Sequence, residues 1–268
     1  MPFLYNGPPA ELEKFFLTEL EKRKISLSSF QLQQFFLYLR ELKRWNQKIN
    51  LTSIIGDKEI IVKHFIDSLS CSLAFPTMSD KRLAINLLDV GSGAGFPGIP
   101  LKIYFPSIWL SLLESTQKKV NFLEYICKKL VLERVKILGG RAEEYGQREG
   151  YRQRYDIVVS RAVGKLDTLA ELCLPFVKIG GIFVAQKGAE INKEFSTSVR
   201  AIEVMGGEIE KIIGYPFSHR PLAGLRQRGR LVVDSEEIKR NLLVIRKIKP
   251  TPDKYPRRSG IPAKRPIK

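Results

Sequence analysis

The chain has 268 residues, of which 44% are hydrophobic and 10% aromatic. That suits one sizeable core with length left for a second small element, and excludes a disordered or fibrous chain. Lysine and arginine number 45 against 28 acidic residues, a net charge of +17, which favours polyanionic partners because each cation set on a phosphate releases condensed counterions.

Charge alone names no substrate, since many enzymes that bind no nucleic acid are basic. Cys71, Cys127 and Cys173 stand far apart, and with only His64 and His219 they form no C-x-x-C pair or Cys/His cluster. No metal is therefore expected, and the thiols read as small buried hydrophobes in a reducing compartment. The start, MPFLYNGPPAELEKFF, lacks the basic and apolar regions of a secretory signal. No segment approaches the roughly 18 apolar residues that span a bilayer. A cytoplasmic protein with no membrane partner is expected.

Three textures follow one another: a helical region (1–80), a cofactor-binding domain (81–248) and a basic, proline-rich tail (249–268). In the first, Ser28 and Gln31 are spaced as a capping box. Leu32, Phe35, Phe36, Leu39 and Leu42 then recur at helical spacing and make one apolar face. A second helix is predicted from a cap at Asp57, with Ile61, Phe65, Ser68 and Leu69 along one side.

From residue 84 onward short β-rich runs alternate with helical patterns. Strands are predicted at 85–90, 109–114, 135–138, 155–160, 180–186, 208–215 and 240–247. Helices fall at 97–104, 117–131 and 166–178. This alternation predicts an α/β fold, a seven-stranded, mostly parallel sheet with helices on both faces. A Gly/Arg-rich loop, HRPLAGLRQRGR, precedes the last strand. The final segment, 246–268, holds five prolines and nine Lys/Arg against one Asp, which predicts an extended cationic tail.

The first sheet strand runs straight into Asp89-Val90-Gly91-Ser92-Gly93-Ala94-Gly95-Phe96. A glycine-rich turn between the first strand and first helix of such a sheet is a ligand site, with amides facing the ligand and no β-carbons in its way. A dinucleotide fold wants G-x-G-x-x-G, but Phe96 takes the third position. The pattern D-x-G-x-G-x-G is instead the one associated with S-adenosylmethionine. Glu114, at the end of the second strand, stands where Rossmann-type folds place the acid that accepts ribose hydroxyls. A NAD-dependent oxidoreductase, a small-molecule or protein methyltransferase and a pure RNA-binding protein remain as alternatives at this point.

LLDVGSGAGFPGIPLKI, LLESTQKKVNFLEYICKKL, GRAEEYG and YDIVVSRAVGKLDTLAELCLPFVKIGG resemble the bacterial small-subunit (16S) ribosomal RNA guanine-N7 methyltransferase family, RsmG or GidB. The likeness extends to RWNQKINLTSI and HFIDSL upstream and KYPRRSGIPAKRPIK downstream. Ser259 and Ile267 depart from the expected tail residues. The resemblance implies a Rossmann-like class I methyltransferase that moves the methyl of S-adenosyl-L-methionine to N7 of one guanine of 16S ribosomal RNA (position 527, ribosomal RNA numbering). It places the cofactor on Gly91, Gly93, Phe96, Glu114, Ser115, Thr116, Ala142, Glu143 and Arg161. Glu143 and the backbone at Ala142 would hold the adenine edge, and Arg161 the methionine carboxylate or an RNA phosphate.

Guanine N7 offers a lone pair and carries no proton at neutral pH, so no catalytic side chain is expected. His64 reads as a helix histidine paired with Asp67 or Ser68. RNA contacts are expected from Arg257 and Arg258, with Lys264, Arg265 and the loop residues Arg226, Arg228 and Arg230. The partner would be 16S RNA or the small ribosomal subunit, met by a monomer.

Overall fold

The computed structural model describes residues 7–75, 85–161, 164–188, 191–216, 226–227, 230–231 and 239–268. Arg228 and His219 lie outside them, as do the side chains of Arg226 and Arg230.

The helical region comprises α1 (Ala10–Glu21), α2 (Ser29–Ile49) and a helix of mixed pitch. The mixed helix joins α3 (Asp57–Ile60), a π-helical segment (Ile61–Ile66) and α4 (Asp67–Leu69), and ends in a 3-10 turn, Ser70–Ala74. The capping box at α2 forms as predicted: the Gln31 amide donates to Ser28 Oγ at 3.2 Å, and the Ser28 amide to Gln31 Oε1 at 2.9 Å. Asp57 is not the cap expected; Gly56 holds that position, and Asp57 sits in the first turn, paired with Lys43.

Then follow β1 (Asn86–Val90), α5 (Gly98–Tyr104), β2 (Trp109–Glu114), α6 (Gln117–Lys129), β3 (Val135–Gly139), α7 (Ala142–Tyr145) and β4 (Tyr155–Arg161). The second half holds α8 (Leu166–Cys173), β5 (Val177–Lys187), α9 (Ile191–Val204), β6 (Gly207–Pro216), a two-residue pair β7 (Arg226–Gln227) and β8 (Arg230–Leu231), β9 (Lys239–Lys247) and α10 (Ile261–Lys264). The helix predicted through residue 178 stops at Cys173. Pro175 lacks the amide a further helical turn needs, and a 3-10 turn, Leu174–Phe176, leads into β5. The sequence reading missed α9, whose Ser196-Thr197-Ser198 run has weak helix propensity.

The seven-stranded sheet has the order β3-β2-β1-β4-β5-β9-β6, parallel except where β9 pairs antiparallel with β5 and β6. Chain direction therefore diverges between β1 and β4, the place where open α/β sheets bind ligands beyond their strand ends. One face of the sheet shares its core with α1, α2 and the mixed helix. Side chains stitch this packing: Gln31 Nε2 donates to the carbonyl of Ile103 at 2.7 Å, and Gln34 Nε2 to that of Leu130 at 2.7 Å.

The proline-rich end is extended, but it is not a free tail. Its few internal bonds, such as the Tyr255 amide to the Pro252 carbonyl at 2.9 Å and the short α10, leave other carbonyls that need outside donors. Arg152 supplies them to Thr251 (2.6 Å), Tyr255 (2.7 Å) and Pro252 (3.1 Å), and Gln147 to Pro256 (2.8 Å). Where β9 leads into this segment, buried Lys247 donates to the carbonyls of Leu174 (2.9 Å) and Met205 (2.6 Å) and to Thr251 Oγ1.

Candidate functional site

The glycine loop hangs on the end of β2. The amides of Gly91 and Ser92 both donate to the Leu113 carbonyl, at 2.8 and 3.1 Å. Gly91, Gly93 and Gly95 all have positive φ, which side chains rarely adopt. Their roles differ. A β-carbon on Gly93 would meet nothing nearer than its own Gly91 carbonyl at 3.9 Å, so that face of the loop is open to a ligand. One on Gly95 would lie 2.4 Å from Ile99 Cδ1 and 2.7 Å from the Tyr38 hydroxyl, so Gly95 is required by internal packing.

Two acids hold the loop. Glu114, 6% exposed, accepts the Gly93 amide on Oε2 at 2.9 Å and the Thr116 amide on Oε1 at 2.7 Å. Asp89 is fully buried and accepts the Gly98 amide on Oδ2 at 2.8 Å, while its Oδ1 has no hydrogen-bond partner. Burial pushes the Asp89 carboxyl up to about 7, against the Gly98 hydrogen bond. An orphaned oxygen beneath a loop with one open face is what a ligand bringing hydrogen-bond donors would complete.

Phe96 lies beneath the loop, not in its opening. It is nearly buried, stacked on Tyr38 (ring centroids 5.3 Å) and on His64 (4.5 Å), and the Arg161 guanidinium lies over its ring at 4.9 Å. The Tyr38 hydroxyl donates to the Ala94 carbonyl, so α2 reaches through the core to hold the loop. Tyr38 was missed by sequence reasoning, though its place one turn after Phe35 in the apolar stripe of α2 marks it.

Arg161 ends β4 across the divergence from the glycine loop. Its guanidinium donates to the Lys63 carbonyl (3.2 Å), to Asp67 Oδ2 (3.4 Å) and to His64 Nδ1 (3.2 Å). The ring of His64 therefore does not pair with Asp67 or Ser68; its second partner is Thr52 Oγ1 at 2.8 Å, and Ser68 instead donates to the His64 carbonyl. Asp67 is buried and also accepts the Tyr215 hydroxyl at 2.8 Å.

The structure thus brings Gly91, Gly93, Phe96, Glu114, Ser115 and Thr116 together at the ends of β1 and β2. The Gly140 amide donates to the Glu114 carbonyl at 3.0 Å, which sets Ala142 and Glu143 beside them. Glu143 Oε1 accepts the Gly260 amide at 2.9 Å, a contact the sequence reading did not foresee. Arg257 is committed elsewhere: its Nη2 and Nε donate to Glu171 Oε2 and Oε1 at 2.6 and 2.9 Å, and Glu171 is 1% exposed. Arg258, Lys264 and Arg265 are exposed. Cys71, Cys127 and Cys173 are buried and free. Among the described residues no group of three His, Cys, Asp or Glu side chains could hold a metal, and no helix is long and apolar enough to cross a membrane.

The family model described as rRNA small subunit methyltransferase G (GidB) matches residues 31–220. The chain is 47% identical over 240 residues to the ribosomal RNA small subunit methyltransferase G of Alkaliphilus metalliredigens, covering 89% of this chain and 91% of that one. This chain belongs to the rRNA small subunit methyltransferase G family.

A second member, from Bacillus mycoides, is 44% identical over 254 residues, 94% of this chain and 97% of its own. Among solved structures, a SAM-dependent O-methyltransferase from Thermotoga maritima superposes with a TM-score of 0.51 at 17% identity, over 79% of this chain and 71% of that one. At that identity the likeness shows the fold alone. The loop and Glu114 described above lie within the family's matched span, as do Tyr38, His64 and Arg161.

Proposed function

We propose that the protein transfers the methyl group of S-adenosylmethionine to N7 of a guanine in 16S ribosomal RNA. The observation that carries the reading is the loop end of β1 and β2: Glu114 bound to the Gly93 amide, an open face at Gly93, and an unpartnered buried oxygen on Asp89. These residues fit an amino-acid-bearing nucleoside. The open face at Gly93 admits it, the remaining lone pairs of Glu114 suit ribose hydroxyls, and Glu143 Oε2 suits an exocyclic amine. When bound, S-adenosylmethionine supplies an electrophilic methyl on a sulfonium.

The chain's own residues then bind and orient. Guanine N7 needs no base, and His64 offers none: its lone pair faces the Arg161 guanidinium, and burial with that cation holds its pKa down at about 3. Arg161 is the candidate for the methionine carboxylate or an RNA phosphate. Ser115 and Thr116 are exposed just past Glu114, at the start of α6, where their hydroxyls can meet a ligand. Exposed Arg258 meets RNA, acting from a tail held in place. The protein works in the cytoplasm as a monomer, which light scattering checks.

The test has two arms. Calorimetry should show S-adenosylmethionine binding, and NADH binding in its place would sink the reading. Small-subunit RNA from a strain lacking the protein should gain one N7-methylguanine on incubation with enzyme and cofactor. If that site stays unmodified in naked RNA and in subunits alike, the substrate assignment is wrong.

A further inference from the structure

Between Ile61 and Ile66 the helix that meets Arg161 at the end of β4 is π-helical. The Asp67 amide bonds back to the carbonyls of Val62 and His64 and passes over Lys63. In an α-helix that amide takes the carbonyl four residues back, which is that of Lys63. Here the Lys63 carbonyl accepts Arg161 Nη1 at 3.2 Å instead. His64 Nδ1 and Asp67 Oδ2, from the same widened turn, accept Nη2 and Nη1 at 3.2 and 3.4 Å. With the Phe96 ring beneath it, the guanidinium is gripped on three sides by one turn. Helical segments of this kind are rare and concentrate at functional sites.

The contacts of His64 dictate its tautomer. A guanidinium can only donate, so Nδ1 must carry the lone pair and Nε2 the proton. That proton faces Thr52 Oγ1 at 2.8 Å. Thr52 is itself fixed by Asn46, whose Oδ1 accepts the amides of Leu51 (2.6 Å) and Thr52 (2.8 Å) and whose Nδ2 donates to the Thr52 carbonyl (2.8 Å). The imidazole lies nearly parallel to Phe96, at 16°. Ring plane, tautomer and rotation are all determined before any ligand arrives.

We propose that His64, held by Thr52 and Asn46, is a positioning residue for methyl transfer: it presents a fixed acceptor to Arg161 and so aims that guanidinium at the ligand. The role rests on the methyl-transfer reading above and on Arg161 facing a ligand. His64 touches no reacting atom. Its work is done in advance, by removing rotamer freedom that a long cationic side chain would otherwise lose on binding.

The test compares His64→Phe, which keeps a ring against Phe96 but has no acceptor, with His64→Asn, whose Oδ1 restores an acceptor near the Nδ1 position. S-adenosylmethionine affinity, RNA affinity, kcat and KM are measured for both, for Arg161→Ala and for the His64→Phe/Arg161→Ala double variant. His64→Phe should weaken whichever ligand Arg161 holds by roughly tenfold, the loss of one hydrogen bond to a charged group. His64→Asn should recover most of that, and His64→Phe should change nothing further once Arg161 is alanine.

Three results overturn the role: a lower melting temperature in His64→Phe with affinities and turnover unchanged, simple additivity of the two substitutions, or no effect of Arg161→Ala. Should His64→Phe not fold, Thr52→Val removes the partner that orients the ring. It should weaken the same ligand by a smaller factor, and wild-type affinity there also overturns the role. Wild-type protein that methylates no RNA defeats the parent reading instead, and is told apart by the same assays.

Discussion

Oε2 of Glu114 lies 2.9 Å from the amide nitrogen of Gly93, twenty-one residues away in the chain, so the acid ending β2 and the loop following β1 form one unit. Glu114→Gln keeps the volume but replaces one acceptor oxygen with an amide that meets Gly93 or Thr116 donor to donor. S-adenosylmethionine affinity should fall about tenfold or more, with a stability loss of about 1–3 kcal/mol from the unsatisfied amide. Calorimetry and urea unfolding check the two separately.

The two glycines of the loop should fail differently. Alanine at Gly93 carries only the backbone penalty of positive φ, about 1–2 kcal/mol, and its β-carbon projects into the open face. Alanine at Gly95 adds a clash with Ile99 and Tyr38, a further 1–3 kcal/mol or so. Gly93→Ala should therefore fold and lose cofactor, whereas Gly95→Ala should lose melting temperature first. Equal melting temperatures would refute this division of roles.

Asp89 and His64 should tilt the pH dependence of stability in opposite directions. Asp89, ordinarily 3.8, is raised to about 7, so the folded state keeps a proton that the unfolded state has shed. Its contribution is complete below the unfolded value and is lost as pH rises through 7. Asp89→Asn should gain on the wild type between pH 4 and 7, by up to about 1.4 kcal/mol per unit. Urea midpoints across that range check it; parallel curves would count against a protonated Asp89.

His64 is lowered from 6.5 to about 3, so its contribution is present above 6.5 and lost as pH falls toward 3. Wild type should lose stability to His64→Asn on acidification from pH 7 to 5. Methyl transfer itself should show no inflection near 6.5, and one that His64→Asn abolishes would mean the imidazole titrates.

The two neighbouring tail arginines should separate structure from RNA binding. Arg257→Ala strands the carboxylate of buried Glu171 and should cost about 3 kcal/mol or more. Exposed Arg258→Ala should leave stability alone, weaken RNA binding, and reduce the slope of log affinity against log salt by roughly 0.7 if it contacts one phosphate of single-stranded RNA. Salt titrations of both variants decide it.

Much of this molecule was legible in the chain. Strand alternation predicted all seven strands of the sheet to within a few residues; the central parallel strands, buried on both faces, leave unbroken apolar runs such as Ile157–Val159. The Gly91–Gly95 spacing and Glu114 located the loop because backbone conformation there restricts residue type. The partners of Arg161 were not legible. They depend on a change of helical pitch at Ile61–Ile66, which leaves no periodic signature in so short a segment. Nor could the prolines of the tail announce that Arg152, about a hundred residues earlier, would donate to their carbonyls.

The widened turn beneath Arg161 has a consequence for how this surface tolerates change. Side chains at Ile61, Val62 and Ile66 can be exchanged for others of like volume without altering the pitch. Removing one residue between Lys63 and Asp67 cannot be absorbed so easily. It would restore α-helical spacing, return the Lys63 carbonyl to the ladder and swing Asp67 about a third of a turn around the axis. Here residue number carries information that residue identity does not, and substitution scans would pass over a feature that a single codon deletion would expose.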